Sequence, residues 1–368
     1  MDFRQYFRII KHYDWWLFGL VFLLLIFSLV IIYSIGSNLD PPDLSRFNKQ
    51  LIFAGLGLVM FVIFSFIDYR LLSSYAYIFY IIAIIVLLAV LIFGTTIRGT
   101  TGWFNFGFFS FQPVEFVKIL YLIFIAQYFS GKANRLDSLK NILFSGLYTG
   151  ILVGLVILQP DLGSALIFMA IWLGLLLVQK IKWINLLIIG VILMLIAGVG
   201  WFGFLQDYQK NRILTFVDPA QDPLGTGYNV TQAMIAVGSG NFIGRGLGLG
   251  PQSQLNFLPE TEADFIFAVI AEELGFLGSG AMLIFFGLFF WRIWLIIKRS
   301  SDDFGTLLAA GILILFFTQT LINVGMNMGL MPVTGLPLPF ISAGGSSLIA
   351  SFAMVGILQS IYIRNNLT

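Results

Sequence analysis

Few groups in this chain can move a proton. The sequence holds no cysteine and a single histidine, His12, in a basic N-terminal segment. Disulfides, thiolate metal sites and a histidine-built zinc centre are therefore excluded, and acid–base chemistry must rest on Asp, Glu, Lys, Arg or Tyr. Four polar clusters offer such groups. The first reads Arg98-Gly-Thr-Thr-Gly-Trp103-Phe-Asn105 and continues as Phe111-Gln112-Pro113-Val-Glu115-Phe-Val-Lys118. Pro113 suits the first turn of a helix, which puts Glu115 and Lys118 on one face at i, i+3. Inside hydrocarbon such a pair either neutralises itself or lines a cavity, and a pair that can break could also gate a nearby acid. The second cluster, Gln159-Pro160-Asp161, reads as a short turn with Asp161 capping the next helix.

The third cluster is a Gly-rich run over 238–250 with Lys210, Arg212 and Arg245 nearby. It lacks the Gly-Lys-Ser/Thr ending of a nucleotide-binding loop. Its glycines read as tight turns, and its backbone together with Arg245 could also contact a diphosphate. The run leads into Glu260, Glu262, Asp264, Glu272 and Glu273. An acid at Asp264 is favoured there by the helix dipole and by capping, and it could equally be a general base or a divalent-cation ligand. The fourth cluster spans 323–346 and carries Asn323, Asn327 and Ser342 among many Gly and Pro residues. It reads as a broken or re-entrant segment, tolerable at membrane depth only against protein or water.

The elements that must position these groups are apolar helices. The 368 residues are 59% hydrophobic and 10% charged, with a mean hydropathy of +0.95. A soluble surface could not be built from that composition. About ten spans are expected, near 15–34, 49–67, 77–93, 114–129, 142–158, 162–178, 184–204, 265–297, 306–328 and 346–363. The chain thus reads as an all-α polytopic membrane protein forming one integral-membrane domain over 1–368. The span at 265–297 exceeds one crossing and is expected to tilt or project. Trp15, Trp16, Trp183 and Trp201 fall near span ends, as interfacial anchors do. Lys and Arg gather on one side of this count, Arg70, Lys132, Lys140, Lys180, Lys182, Lys298 and Arg364 among them, which places both termini in the cytoplasm. A long loop over 205–263, between the seventh and eighth spans, then faces outward. With a shorter loop over 94–112 it is expected to roof a catalytic cavity at the membrane surface. A net charge of +2 gives no argument for nucleic acid. The absence of an obvious internal repeat argues against an inverted-repeat transporter.

Taken in order, these segments resemble the SEDS family of bacterial membrane proteins. The resemblance lies in RGxxxWxxxGxxxxQPxExxK at 98–118, QPDLG at 159–163, LPE followed by DFIFAVIAEELG up to Gly275, and NVGMNxGLxPVTGLPLPFIS with GGSS over 323–347. It covers nearly the whole chain and is closer to the RodA branch than to FtsW. Two places depart from the family's wording. Glu262-Ala263 stands where His-Thr is usual, and Ala343 stands where Tyr is usual.

The resemblance implies a peptidoglycan glycosyltransferase that polymerises lipid II at the outer face of the bacterial cytoplasmic membrane, for elongation and rod shape. It also implies a class B penicillin-binding protein as transpeptidase partner, with other cell-elongation proteins and membrane lipids around it. Asp264 carries over as the required acid, and Glu115 with Lys118 as the cavity pair. Arg98, Lys118 and Arg245 would offset charge on the leaving diphosphate, with Gln112, Asn323 and Ser342 as further substrate contacts. Mg2+ or Mn2+ beside Asp264 is a possible cofactor, and no organic cofactor is expected. A lipid II flippase and a division-specific FtsW-like polymerase are the alternatives.

Overall fold

The computed structural model describes residues 11–38, 41–97, 100–105, 107, 110–132, 138–203, 207–218, 222, 225–255 and 257–367. Helices occupy all ten expected span positions: α1 (Trp15–Ser37), α2 (Ser45–Phe66), α4 (Ala76–Phe93), α5 (Val114–Ser130), α6 (Leu139–Leu158), α7 (Leu162–Val178), α8 (Trp183–Gly203), α12 (Ile266–Arg299), α13 (Asp303–Asn327) and α14 (Gly345–Leu367). A short α3 (Tyr69–Ser74) links α2 to α4. Eight of the ten are long and apolar enough to cross a membrane. The other two, α5 and α7, have 17 residues each, and the segment that carries Glu115 and Lys118 is one of them. The chain is thus a polytopic α-helical membrane protein.

The bundle is assembled by side chains that suit lipid on one face and close packing on the other. α2 packs most extensively on α14, and a small residue makes this possible: a Cβ on Gly57 would lie 2.5 Å from the Phe352 ring. α5 lies inside, against α4, α13 and α14. At one end of the bundle, Asp14 caps α1 by accepting from Leu17 N at 3.1 Å. Its other oxygen holds Arg292 of α12 at 2.6 Å. Arg364 of α14 donates to Phe66 O at 2.8 Å and pairs with Asp68 at 3.2 Å. Trp15, Trp16 and Trp183 are exposed, as anchors at an interface must be. The side chain of Trp201 lies outside the described residues.

Three expectations change. The interval 205–263 is not one long loop. It folds into α9 (Asp207–Val217), α10 (Thr226–Ser239) and the single turn α11 (Pro251–Gln254). α10 buries Ala233 and Ala236 and packs on α12, so a row of small residues at helical spacing marked a docking face. The interval 94–112 contains a three-stranded antiparallel sheet, β1 (Thr95–Ile97), β2 (Thr100–Asn105) and β3 (Ser110–Phe111). Finally, the long segment after Asp264 is not one tilted rod.

That segment, the 34-residue α12, is broken at Gly275, where φ is 66° and ψ −162°. The break leaves peptide groups without helical partners, and the Gly-rich run supplies them. Arg245 N donates to Glu272 O at 3.0 Å and Gly246 N to Glu273 O at 2.9 Å. On the far side, Phe276 N donates to Asn241 O at 2.9 Å and Leu277 N to Phe242 O at 3.1 Å. The Gly-rich run is therefore a splint for a broken helix. Glu272 accepts from Gln252 N and Ser253 N at 2.9 and 3.1 Å. Glu273 accepts from Ser34 Oγ at 2.8 Å. Both acids are fully buried and fasten the splint rather than serve a cavity.

Candidate active site

Asp264 stands just before α12. The N-cap position of that helix falls on Phe265, whose side chain makes no capping hydrogen bond, so Asp264 stands one residue ahead of the cap. Its backbone carbonyl is held from α13: Asn323 Nδ2 donates to it at 3.1 Å and Asn327 Nδ2 at 3.0 Å. The two asparagines, one helical turn apart, are fully buried. Asn323 also donates to Leu336 O at 2.8 Å. Asn327 also donates to Asn323 O at 2.8 Å and accepts from Ala268 N at 3.1 Å. The clamp thus ties three pieces together: the start of α12, the end of α13 and the non-helical stretch 328–344.

That stretch is the expected broken segment. It turns at Gly335, with φ 73°, where an added Cβ would stand 3.6 Å from Asp264 Oδ2. Ser342 pins it by donating Oγ to Ala263 O at 2.6 Å and accepting from Leu338 N at 2.8 Å. These anchors, with the Asn323 bond to Leu336 O, hold the irregular backbone in place at depth.

The half-buried Asp264 lines a cavity of about 270 Å³. Gln112, Glu115, Asp161, Arg212 and Glu260 share its wall, with Trp103 from β2 and Ser346 from the first turn of α14. Gln112 N donates to Ser346 Oγ at 2.9 Å, which docks the sheet end onto α14. Glu115 pairs with Lys118 at 2.7 Å, at the i, i+3 spacing of the sequence. Lys118 is fully buried behind it and is not part of the lining. Asp161 caps α7 as expected, accepting from Ser164 N at 2.9 Å, and also lines the cavity, a second placement that the turn alone did not announce.

The other expected contacts fall elsewhere. Arg98 lies outside the described residues. Arg245 sits on the splint at the other side of α12, its Nε donating to Ser239 Oγ at 3.3 Å, and does not line the cavity. Asn323 and Ser342 lie behind the wall and hold backbone. Arg212 and Glu260 are cavity residues that the sequence reading placed only as neighbours of the site. Arg212 is carried by α9, which buries Gln209 and Thr215 and exposes Leu214 and Val217, a pattern that residue spacing did not mark. Among the described residues no group of three Asp, Glu or His side chains could cage a metal ion.

Beside the cavity, Arg46 of α2 pairs with the buried Glu262 at 3.0 Å. Burial holds the Glu262 carboxyl above the ordinary carboxylate range, and the Arg46 charge only partly offsets it. Ala343 N donates to Glu262 O at 2.7 Å, so the two departures from the family's wording touch.

Comparison with known proteins fits this arrangement. Residues 14–367 match the family profile FTSW_RODA_SPOVE, described as cell cycle protein. The chain is 36% identical over 366 residues to the peptidoglycan glycosyltransferase MrdB of Escherichia coli (strain K12), covering 97% of this chain and 95% of that one. It is 33% identical over 348 residues to stage V sporulation protein E of Bacillus subtilis (strain 168), covering 92% and 94%. Its fold is similar to a chain of a peptidoglycan synthase complex that coordinates polymerization and crosslinking, with a TM-score of 0.83, 30% identity and coverage of 97% and 99%. It is also similar to the rod shape determining protein RodA of Thermus thermophilus, with a TM-score of 0.70, 29% identity and coverage of 95% and 96%. The chain therefore belongs to the FtsW/RodA/SpoVE family.

Proposed function

We propose that this protein is a RodA-like peptidoglycan glycosyltransferase that polymerises lipid II in the cavity faced by Asp264, at the outer face of the bacterial cytoplasmic membrane. The observation that carries the reading is a half-buried carboxylate, held by its own backbone through two buried asparagines, on the wall of a polar cavity. The acceptor hydroxyl oxygen attacks the anomeric carbon of the donor. The bond from that carbon to the diphosphate breaks, and its electron pair leaves on the diphosphate oxygen. Asp264 takes the hydroxyl proton, and the diphosphate needs little further help to depart. Gln112 and Ser346, on the cavity wall, are placed to orient sugar hydroxyls. Lys118 pairs with Glu115 from behind the wall without itself reaching substrate.

A protein-caged cation does not fit the described residues. Mg2+ or Mn2+ would have to be shared between one or two wall carboxylates and the substrate's own diphosphate, as Mg2+ commonly is. A class B penicillin-binding protein as partner is supported by the similarity to a chain of a synthase complex.

The test is glycan polymerisation from labelled lipid II by the full chain with its cognate transpeptidase. Asp264→Asn should cut polymer by about 100-fold or more, the usual contribution of a general base, while the variant stays folded and partner-bound. Polymer at the wild-type rate would remove Asp264 from the chemistry. Lipid II crossing liposome membranes with no polymer from the wild type would favour a flippase.

A further inference from the structure

Charge is unevenly shared between two neighbouring hollows. The cavity faced by Asp264 is lined by four carboxylates, those of Glu115, Asp161, Glu260 and Asp264, and by one cation among the described residues, Arg212. A second hollow of about 190 Å³ adjoins it, and Ala263, Ala343, Gly344 and Gly345 border both. Its remaining wall is Arg46, Lys49, Gln50 and Phe53, with no carboxylate among the described lining residues. These four recur at i, i+3, i+4 and i+7 and so form one face of α2. Gln50 is fixed there, its Nε2 donating to Ser28 Oγ at 3.2 Å and to Ser342 O at 3.3 Å. Arg46 is oriented by Glu262. The N-terminal ends of α2 and α14 both border this hollow, which adds positive potential.

The partition between the hollows carries nothing larger than a methyl group. A Cβ on Gly345 would come within 2.6 Å of the Phe53 ring, so that position stays bare. Ala263 and Ala343 are where this sequence is smaller than the family's wording. Glu115 is matched by Lys118 and Arg46 by Glu262, which leaves Asp161, Glu260 and Asp264 with Arg212 on one wall and Lys49 on the other, so an anion of two or more charges is favoured in the α2 hollow. A sugar hydroxyl has the opposite preference, because carboxylates accept its hydrogen bond.

Resting on the glycosyl-transfer reading, we propose that the α2 hollow holds the diphosphate of a polyprenyl-linked reactant, and that its sugar reaches Asp264 past the bare partition at 343–345. Arg46 and Lys49 are then diphosphate-binding residues. Ala343 sets how far the sugar can pass.

The probe is farnesyl diphosphate, a soluble polyprenyl diphosphate without sugar, titrated into the full-length protein in detergent and read as a dissociation constant. Lys49→Gln, at an exposed position, removes one charge-assisted contact and should weaken binding at least about tenfold. Ala343→Phe should fill the shared wall and do the same, with melting temperatures within a few degrees of wild type. Equal affinity in wild type, Lys49→Gln and Ala343→Phe would overturn the assignment, as would competition by phosphatidylglycerol or inorganic pyrophosphate at matching concentration. The first competitor would mark a general anionic-lipid surface and the second a free-phosphate site. Because the probe is not polymerised, loss of the polymerase reading would leave this binding result standing, and the reverse holds too.

Discussion

Removing the Asn327 amide should disable Asp264 without touching it. Asn327 makes three hydrogen bonds, at 3.0 Å to Asp264 O, 2.8 Å to Asn323 O and 3.1 Å from Ala268 N. At about 1 kcal/mol net each, Asn327→Ala should cost roughly 2–4 kcal/mol of stability. The loss stays near the low end because two of the partners keep other bonds: Ala268 N also donates to Phe265 O, and Asp264 O also accepts from Asn323. The functional loss should be larger in proportion. A carboxylate displaced by about 1 Å typically loses on the order of 100-fold in rate. Polymerisation of labelled lipid II should therefore show kcat down about 10- to 100-fold with KM little changed, because the amide does not line the cavity. Two further measurements separate positioning from general weakening. In an Asp264→Asn background, Asn327→Ala should lower the melting temperature by the same amount yet leave residual turnover unchanged. Combined with Asn323→Ala, it should be non-additive by more than about 0.5 kcal/mol, since both amides serve one carbonyl. Wild-type kcat in folded Asn327→Ala protein would refute the positioning argument outright.

Other variants probe the surroundings. Gly275→Ala puts a Cβ 2.3 Å from Gly244 N in a backbone region nearly restricted to glycine, so it should cost about 3 kcal/mol or more. It should also speed amide exchange at Arg245 and Gly246, and an unchanged melting temperature would dismiss the splint. Lys118→Met strands the buried Glu115 carboxylate and should cost about 3–5 kcal/mol, whereas Glu115→Gln with Lys118→Met should recover most of it; a double variant as unstable as the single would trace the cost to packing. Glu262 tests pH. Burial raises its folded pKa, so its stabilising contribution is full below the unfolded value and is lost as pH climbs through the folded one. Glu262→Gln should accordingly flatten melting temperature against pH just above the ordinary carboxylate range and raise it at neutral pH. A fall at neutral pH would mean that the bridge to Arg46 outweighs the burial.

The helices were legible because hydrocarbon forces long apolar runs, and nothing else in a chain of this composition produces them. The Glu115–Lys118 pair and the Asp161 cap were legible because both are set by helical spacing alone. What sequence spacing could not place was everything decided between elements. Asn323 was expected to contact substrate, yet it and Asn327 turn to the Asp264 carbonyl. Arg245 looked like a diphosphate ligand because it lies in a Gly-rich run, but the run's donors are committed to the broken α12. Glu272 and Glu273 belong to the same cluster as Asp264 in the chain and fall on the splint side in space. The sheet at 95–111 went unread since its strands are too short to show alternation.

The ion pair on α5 has a consequence for how the protein is made. α5 is almost wholly enclosed in the finished bundle, and much of its cover comes from α13 and α14, which the ribosome delivers almost two hundred residues later. Until then, the face holding Lys118 must wait in lipid or beside the insertion machinery, where a lone lysine carries a penalty that reaches about 3 kcal/mol at a helix centre and is smaller in the second turn, where Lys118 sits. Glu115, one turn away on the same helix, neutralises it without any later segment. α5 can therefore be released into the bilayer as a self-contained unit and wrapped afterwards, so the order of synthesis places no demand on the order of packing.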